Sequence, residues 1–156
     1  MTGFRPRDPG WEARVAESFA RQSAMRSIGA SIARLEPGAV DLLLQTDPAA
    51  MGQQHGFIHA GVITAAMDSA CGYAALGLME AGSEVLTVEF KASFLAPARG
   101  RRFLCRGRVL RPGRTLTFCT AEALALEEGQ GGDDAAAGAG APIATMTATM
   151  IRVVPR

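Results

Sequence analysis

Cysteine is scarce in this chain: its 156 residues include only Cys71, Cys105 and Cys119, with no CxxC spacing among them. An odd, unpaired set supports neither a disulfide framework nor a zinc ribbon, so a reducing cytoplasm is the expected compartment. Excess charge is also missing. A net charge of +1 gives no general attraction to nucleic acid. The N-terminal run MTGFRPRDPGWEAR lacks an apolar core and does not read as a secretory signal. What remains is an ordinary globular composition, 48% hydrophobic and 20% charged. The length suits one domain with one sizeable core.

One run is long and apolar, AGVITAAMDSACGYAALGL from Ala60 to Leu78. Its length raises a membrane span. A carboxylate stands at its centre, however, Gly and Ala dominate it, and no aromatic or basic belt flanks it. It therefore reads as a helix over 59–80, buried on nearly all sides.

Around that helix the patterns are mostly those of strands. Asp8 as a cap, Pro9 at the first helical position, and Trp11, Val15 and Phe19 on one stripe predict an amphipathic helix over 8–26. Residues 27–46 read as two strands joined at Glu36-Pro37-Gly38. Between Val85 and Leu95, Leu86, Val88, Phe90, Ala92 and Phe94 alternate with Thr87, Glu89, Lys91 and Ser93, which predicts a strand with the apolar set on one face and the polar set on the other. Strands are also expected over 102–110, with Phe103, Cys105 and Val109 inward, and over 115–126 and 143–154. The run EEGQGGDDAAAGAGAP, residues 127–142, is of low complexity and reads as a flexible hairpin loop. The expected organisation is an N-terminal helix and tail over 1–26 and one domain over 27–156. A single apolar helix among antiparallel strands suggests an α+β fold, a curved sheet wrapped around that helix.

Asp68 is the most informative residue. An ionised carboxylate in apolar surroundings is costly unless it is paired or functional. Its neighbours one helical turn away are Thr64, Ala65, Cys71 and Gly72, so no cation on its own helix pairs with it. Two readings stay open on this residue alone: an Asp bonded within a polar seam, or a base whose pKa its surroundings raise. Just upstream, Gln53-Gln54-His55-Gly56-Phe57-Ile58-His59-Ala60-Gly61 is a Gly-containing loop that runs into the helix N-terminus. Free N–H groups and the helix dipole favour negative charge there, as on an oxyanion formed from a thioester carbonyl.

The segment from Gln53 to Tyr73, with Thr87-Val88-Glu89-Phe90 and Phe94-Leu95-Ala96-Pro97 downstream, resembles the phenylacetate-pathway (PaaI-type) hotdog thioesterases. The resemblance covers about residues 40–126 and implies a hotdog fold and hydrolysis of acyl-CoA without a metal or organic cofactor. By the same likeness, Asp68 would be general base or nucleophile, and Gln53 would position the attacking water or the carboxylate. His59 would organise the loop, and the Ala60 N–H would polarise the thioester carbonyl. Gly61 and Thr87 would border the substrate. Here the chain departs from the family's Gly-Gly and reads His-Ala-Gly. The donor survives, and an extra methyl narrows the approach. The likeness also implies a homodimer or homotetramer whose sites are shared between chains.

Residues 91–114 hold eight cations and no acid. Most read as a solvated strand face. The turn Arg111-Pro112-Gly113-Arg114 is the preferred candidate for the phosphates of coenzyme A, because relatives carry a similar basic turn near the nucleotide. No membrane partner is expected, and nucleic acid is poorly supported because few aromatics interleave these arginines. His55 and His59 are spaced i,i+4 like a zinc pair but lack an accompanying acid and a third ligand, so no metal is expected. Cys71 reads as core, since no His is placed to activate it. A non-catalytic acyl-CoA binder is the alternative, and Asp68 separates the two, because a pure binder has no need of it. A dehydratase or isomerase would need an Asp and His dyad that is not evident.

Overall fold

The computed structural model describes residues 3–127 and 140–155. Most of the low-complexity loop expected over 127–142 therefore lies outside the described residues. In chain order the elements are α1 (Trp11–Arg21), α2 (Ser23–Ser27), β1 (Ala30–Glu36), β2 (Ala39–Gln45), α3 (Pro48–Met51), α4 (Ala60–Leu76), β3 (Glu84–Phe94), β4 (Arg102–Arg111), β5 (Leu116–Ala125) and β6 (Ala141–Val153). All six strands pair antiparallel in one sheet of order β1-β2-β4-β5-β6-β3. The sheet curves around α4, whose Ile63, Ala66, Met67, Ala70, Ala74 and Leu76 are buried. This is the expected hotdog arrangement. Among the described residues no helix is long and apolar enough to cross a membrane.

Small residues let helix and sheet approach closely. On β4, Phe103, Cys105 and Val109 are buried beneath α4 as the alternation requires. Gly107 stands in the same row, and a Cβ there would come within 2.4 Å of the Ala70 backbone. The helix can cross the strand at this point only because the strand carries no side chain.

The N-terminal segment is two helices rather than one. Asp8 does not cap at the expected position: its Oδ1 accepts from the Gly10 N–H at 2.8 Å, and α1 begins at Trp11 with Gly10 before it. Gln22 then adopts an extended conformation and breaks the helix, so α2 restarts at Ser23. Arg14 fastens α1 to the end of α4. It donates to the carbonyls of Leu76 (3.2 Å), Met79 (2.9 Å) and Ser83 (3.2 Å), while its Nε lies 2.8 Å from Asp8. A cation on the last carbonyls of a helix satisfies acceptors that the helix itself cannot.

β3 departs from strict alternation before its bulge, at Leu86 and Thr87. It is a sheet edge, and its Leu86, Val88, Phe90 and Phe94 are 44–58% exposed. A bulge between Thr87 and Glu89 also breaks the alternation. Before it, Leu86 pairs with Ile151 and Thr87 with buried Met150; after it, Phe90 pairs with buried Ala148. Directly paired residues share a face. Thr87 therefore turns toward α4 instead of joining Glu89 and Lys91 on the outer face. Bulges re-aim side chains in this way.

Replacing Gly107 by Ala is expected to destabilise the fold by about 1–3 kcal/mol, because the new methyl meets backbone that cannot step aside. A chemical-denaturation midpoint unchanged in Gly107→Ala would contradict this packing.

Candidate active site

The loop before α4 is held in place by its own backbone. Gln53 donates to the Phe57 carbonyl (2.8 Å) and accepts from Gly56 N–H (3.0 Å), a closure that Gly56 permits by adopting φ +79°. The Gln53 side-chain Oε1 accepts from the His55 N–H at 2.7 Å. At the loop's end, Ile58 donates to Ala98 (3.0 Å) and His59 to Met51 (2.9 Å).

His59 is the N-cap of α4, its Nδ1 accepting from the Gly61 N–H at 2.9 Å. That contact divides the two amides of the Ala60-Gly61 pair. The Gly61 donor is engaged by the cap. The Ala60 N–H, at the first helical position, has no acceptor within its helix and stands in the positive field of the helix start. Ala60 is exposed. With Gln53, Phe57 and the segment Phe94 to Ala98 it lines a cavity of about 390 Å³.

Asp68 sits two turns further along α4, half-buried between buried Met67 and Ser69. Its Oδ1 accepts a hydrogen bond from Thr87 Oγ1 at 2.8 Å, the residue that the β3 bulge turns inward. Burial raises the Asp68 pKa above the usual carboxylate range, and the Thr87 hydrogen bond opposes that rise. A second cavity, of about 310 Å³, opens beside it and is lined by Ser69, Tyr73, Val85 and Thr87 as well as Gln22 from the helix break.

The chain thus brings Asp68 and Thr87 together at one place, and Gln53, His59, Ala60 and Gly61 at another. Asp68 and Thr87 line one cavity of a single chain, and Gln53 and Ala60 line another. Arg111 and Arg114 are exposed and line neither. Arg114 lies instead over a small hollow near Ala75 and Met79, at the far end of α4. Of the basic strand face, Arg106 pairs with Glu122 (3.4 Å) and Arg108 with Asp41. Cys71 is buried in the core, and a hydrogen bond with Cys119 together with burial pushes its thiol up. The contribution of Ser18 and Gln22 to the Asp68 cavity was not foreseen. Their i,i+4 spacing, a polar pair beside the apolar stripe of α1, was the available signal.

Residues 55–131 match the family model of the thioesterase superfamily. Among solved structures, a thioesterase family protein from Silicibacter pomeroyi is 49% identical, covering 94% of this chain and 100% of its own, with a TM-score of 0.84. The Escherichia coli PaaI protein from the phenylacetic acid degradation operon shares the fold at 14% identity. It covers 92% of this chain and 93% of its own, with a TM-score of 0.75. A medium/long-chain acyl-CoA thioesterase of Escherichia coli, YigI, is 26% identical over 111 residues, spanning 62% of this chain and 72% of that protein.

Because the folded-state pKa of Asp68 lies above its unfolded value, the native chain holds this proton to higher pH than the unfolded chain does. Its contribution to stability therefore falls as pH rises from the ordinary Asp value through the raised one, and stays low above it. Asp68→Asn is expected to melt higher than wild type at neutral pH, with the gap closing at acid pH. Thermal melts across pH check this, and a wild type that is the more stable at neutral pH would contradict it.

Proposed function

We propose, for a chain that belongs to the thioesterase superfamily and is a thioester hydrolase of the hotdog fold, that its substrates are acyl-CoA thioesters and that Asp68 is its catalytic carboxylate. The observation that carries this reading is the half-buried Asp68, held among the described residues by Thr87 and lining a cavity beside a largely apolar helix. Such a carboxylate is costly to the fold and suited to base work. The thioester carbonyl accepts a hydrogen bond from the Ala60 N–H, where charge developing on oxygen is favoured. Asp68 takes a proton from water, or attacks directly as nucleophile, with Gln53 positioning the water or the carboxylate. With water as nucleophile, the C–S bond breaks as the carbonyl reforms, and the thiolate leaves and takes up the proton that Asp68 removed from water. With Asp68 as nucleophile, C–S cleavage leaves an acyl-aspartyl anhydride that water then hydrolyses to the free acid and Asp68, its proton going to the thiolate.

In this reading the site is shared between two copies. The Asp68 cavity adjoins Glu84 to Thr87, the start of β3, and the Gln53 and Ala60 cavity adjoins Phe94, its end. Antiparallel pairing of β3 with the same strand of a second copy would set the start of one against the end of the other. It would also cover the exposed Leu86, Val88, Phe90 and Phe94 and remove an open edge. Each thioester would then meet Asp68 of one chain and the Ala60 amide of its partner, in a homodimer or a tetramer built from it.

Release of free thiol from a panel of acyl-CoAs tests the activity. Asp68→Asn should cut kcat by about 10²–10⁴-fold with the fold intact. Undiminished turnover in the folded variant would remove Asp68 from the chemistry.

Arg111 and Arg114 are proposed to hold the phosphates of coenzyme A. Removing both should raise KM for acyl-CoA more than it lowers kcat, and should affect acyl-pantetheine much less. Equal losses with both substrates would assign these arginines to something else.

A further inference from the structure

The cavity beside Asp68 is not the greasy slot that a long fatty acyl chain needs. Ser18, Arg21 and Gln22 of the N-terminal segment form one side of it, and two polar contacts join that side to α4 within the cavity lining. Ser18 Oγ and Tyr73 Oη lie 3.4 Å apart, and Ser69 Oγ donates to Gln22 Oε1 at 3.2 Å. Tyr73 and Ser69 are only 5% and 9% exposed, so their hydroxyls form a polar floor. At about 310 Å³ the cavity also falls at the small end of the roughly 300–1,000 Å³ usual for ligand sites.

Two arms leave a thioester held at Asp68. The coenzyme A arm must reach solvent, because its nucleotide is too large and too charged to enclose. A cavity of about 310 Å³ has room for a short acyl group and not for the nucleotide, so the arm it takes is the acyl group. A plain aliphatic chain laid against this floor would strip water from Ser18, Ser69, Tyr73 and Gln22 and return no hydrogen bond. Gln22 stands apart among the four. Its side chain has one contact, with Ser69, and its second amide group has no protein partner among the described residues. The residue is fixed where it is because the α1–α2 break falls on it, with its backbone extended and its N–H on the Phe19 carbonyl.

We propose that Gln22 is a specificity-determining residue, which hydrogen-bonds a hydroxyl or carbonyl group on the acyl chain and makes the enzyme select short oxygenated acyl-CoAs over plain fatty ones. This rests on the reading of Asp68 as the catalytic carboxylate. The selection is built by the N-terminal helices, outside the segment that matches the thioesterase family model.

The test compares hexanoyl-CoA with β-hydroxyhexanoyl-CoA and ω-hydroxyhexanoyl-CoA, read as ratios of kcat/KM. Wild type should favour at least one hydroxylated substrate by about tenfold, the worth of one net hydrogen bond. Gln22→Leu should bring that ratio to about one, mainly by losing the hydroxylated substrate. Gln22→Asn, which keeps an amide, should restore part of it. Ser69→Ala, which frees Gln22 from its anchor, should lower the ratio in the same direction and serves if Gln22→Leu does not fold. A wild type that favours plain hexanoyl-CoA, or a ratio that survives both Gln22→Leu and Ser69→Ala, overturns the proposal. Asp68→Asn distinguishes the two levels. Equal loss of all three substrates in that variant upholds the Asp68 reading whatever Gln22 does, and full activity in it removes both.

Discussion

A charged group in the middle of a buried helix governs how this molecule is put together. Helix α4 is wrapped by the sheet so closely that Gly107 must lack a side chain where Ala70 crosses it. Only a helix made largely of Ala, Gly and other small residues can sit that deep. Within such a helix Asp68 cannot meet water freely, and no neighbour on α4 offers it a positive charge. Among the described residues its hydrogen-bond donor comes from another element, Thr87, and Thr87 reaches it because β3 carries a bulge. Removing the bulge would send Thr87 to the outer face and leave the carboxylate unsupported.

The same edge strand ties the fold to the chemistry. A half-buried carboxylate with a raised pKa holds its proton more readily than an exposed one and is a stronger base when ionised. The helix start supplies the complementary charge, through an N–H that the His59 cap leaves unused. On one chain these two features face different cavities, at opposite ends of β3. An edge with four large apolar side chains exposed is a poor surface for a lone molecule and a good one for a second copy.

Much of this was legible in the amino-acid order, and the failures have identifiable causes. The buried helix, the turn at Gly38, the alternation along β4 and the isolation of Asp68 all follow from local patterns of period and polarity. The facing of β3 did not. Strict alternation put Leu86 on the face of Phe90 and Thr87 on that of Glu89, because one extra residue in a strand is invisible to a period-two pattern and reverses every residue on one side of it. Its apolar residues lie on an exposed edge. Sequence hydropathy does not distinguish burial within a chain from burial between chains. The break at Gln22 was missed for a similar reason: nothing in SFARQSAM forbids a continuous helix, and the packing of Ser69 against Gln22 acts from another part of the chain. The loop and cap were found as a motif, but the division of labour between the Ala60 and Gly61 amides required geometry.

The central claim is that each site takes its carboxylate from one chain and its carbonyl-polarising loop from another. The most direct measurement mixes two variants that are each inactive, Asp68→Asn and Gln53→Ala, allows subunits to exchange, and follows thiol release from acyl-CoA. In a hybrid dimer with shared sites, one site carries both lesions and the other carries neither, so activity should return, to at most about a quarter of the wild-type rate for random exchange and independent sites. If each site lay within one chain, every site in every hybrid would still carry one lesion. Exchange confirmed by mass spectrometry with no recovery of turnover would then contradict the shared site.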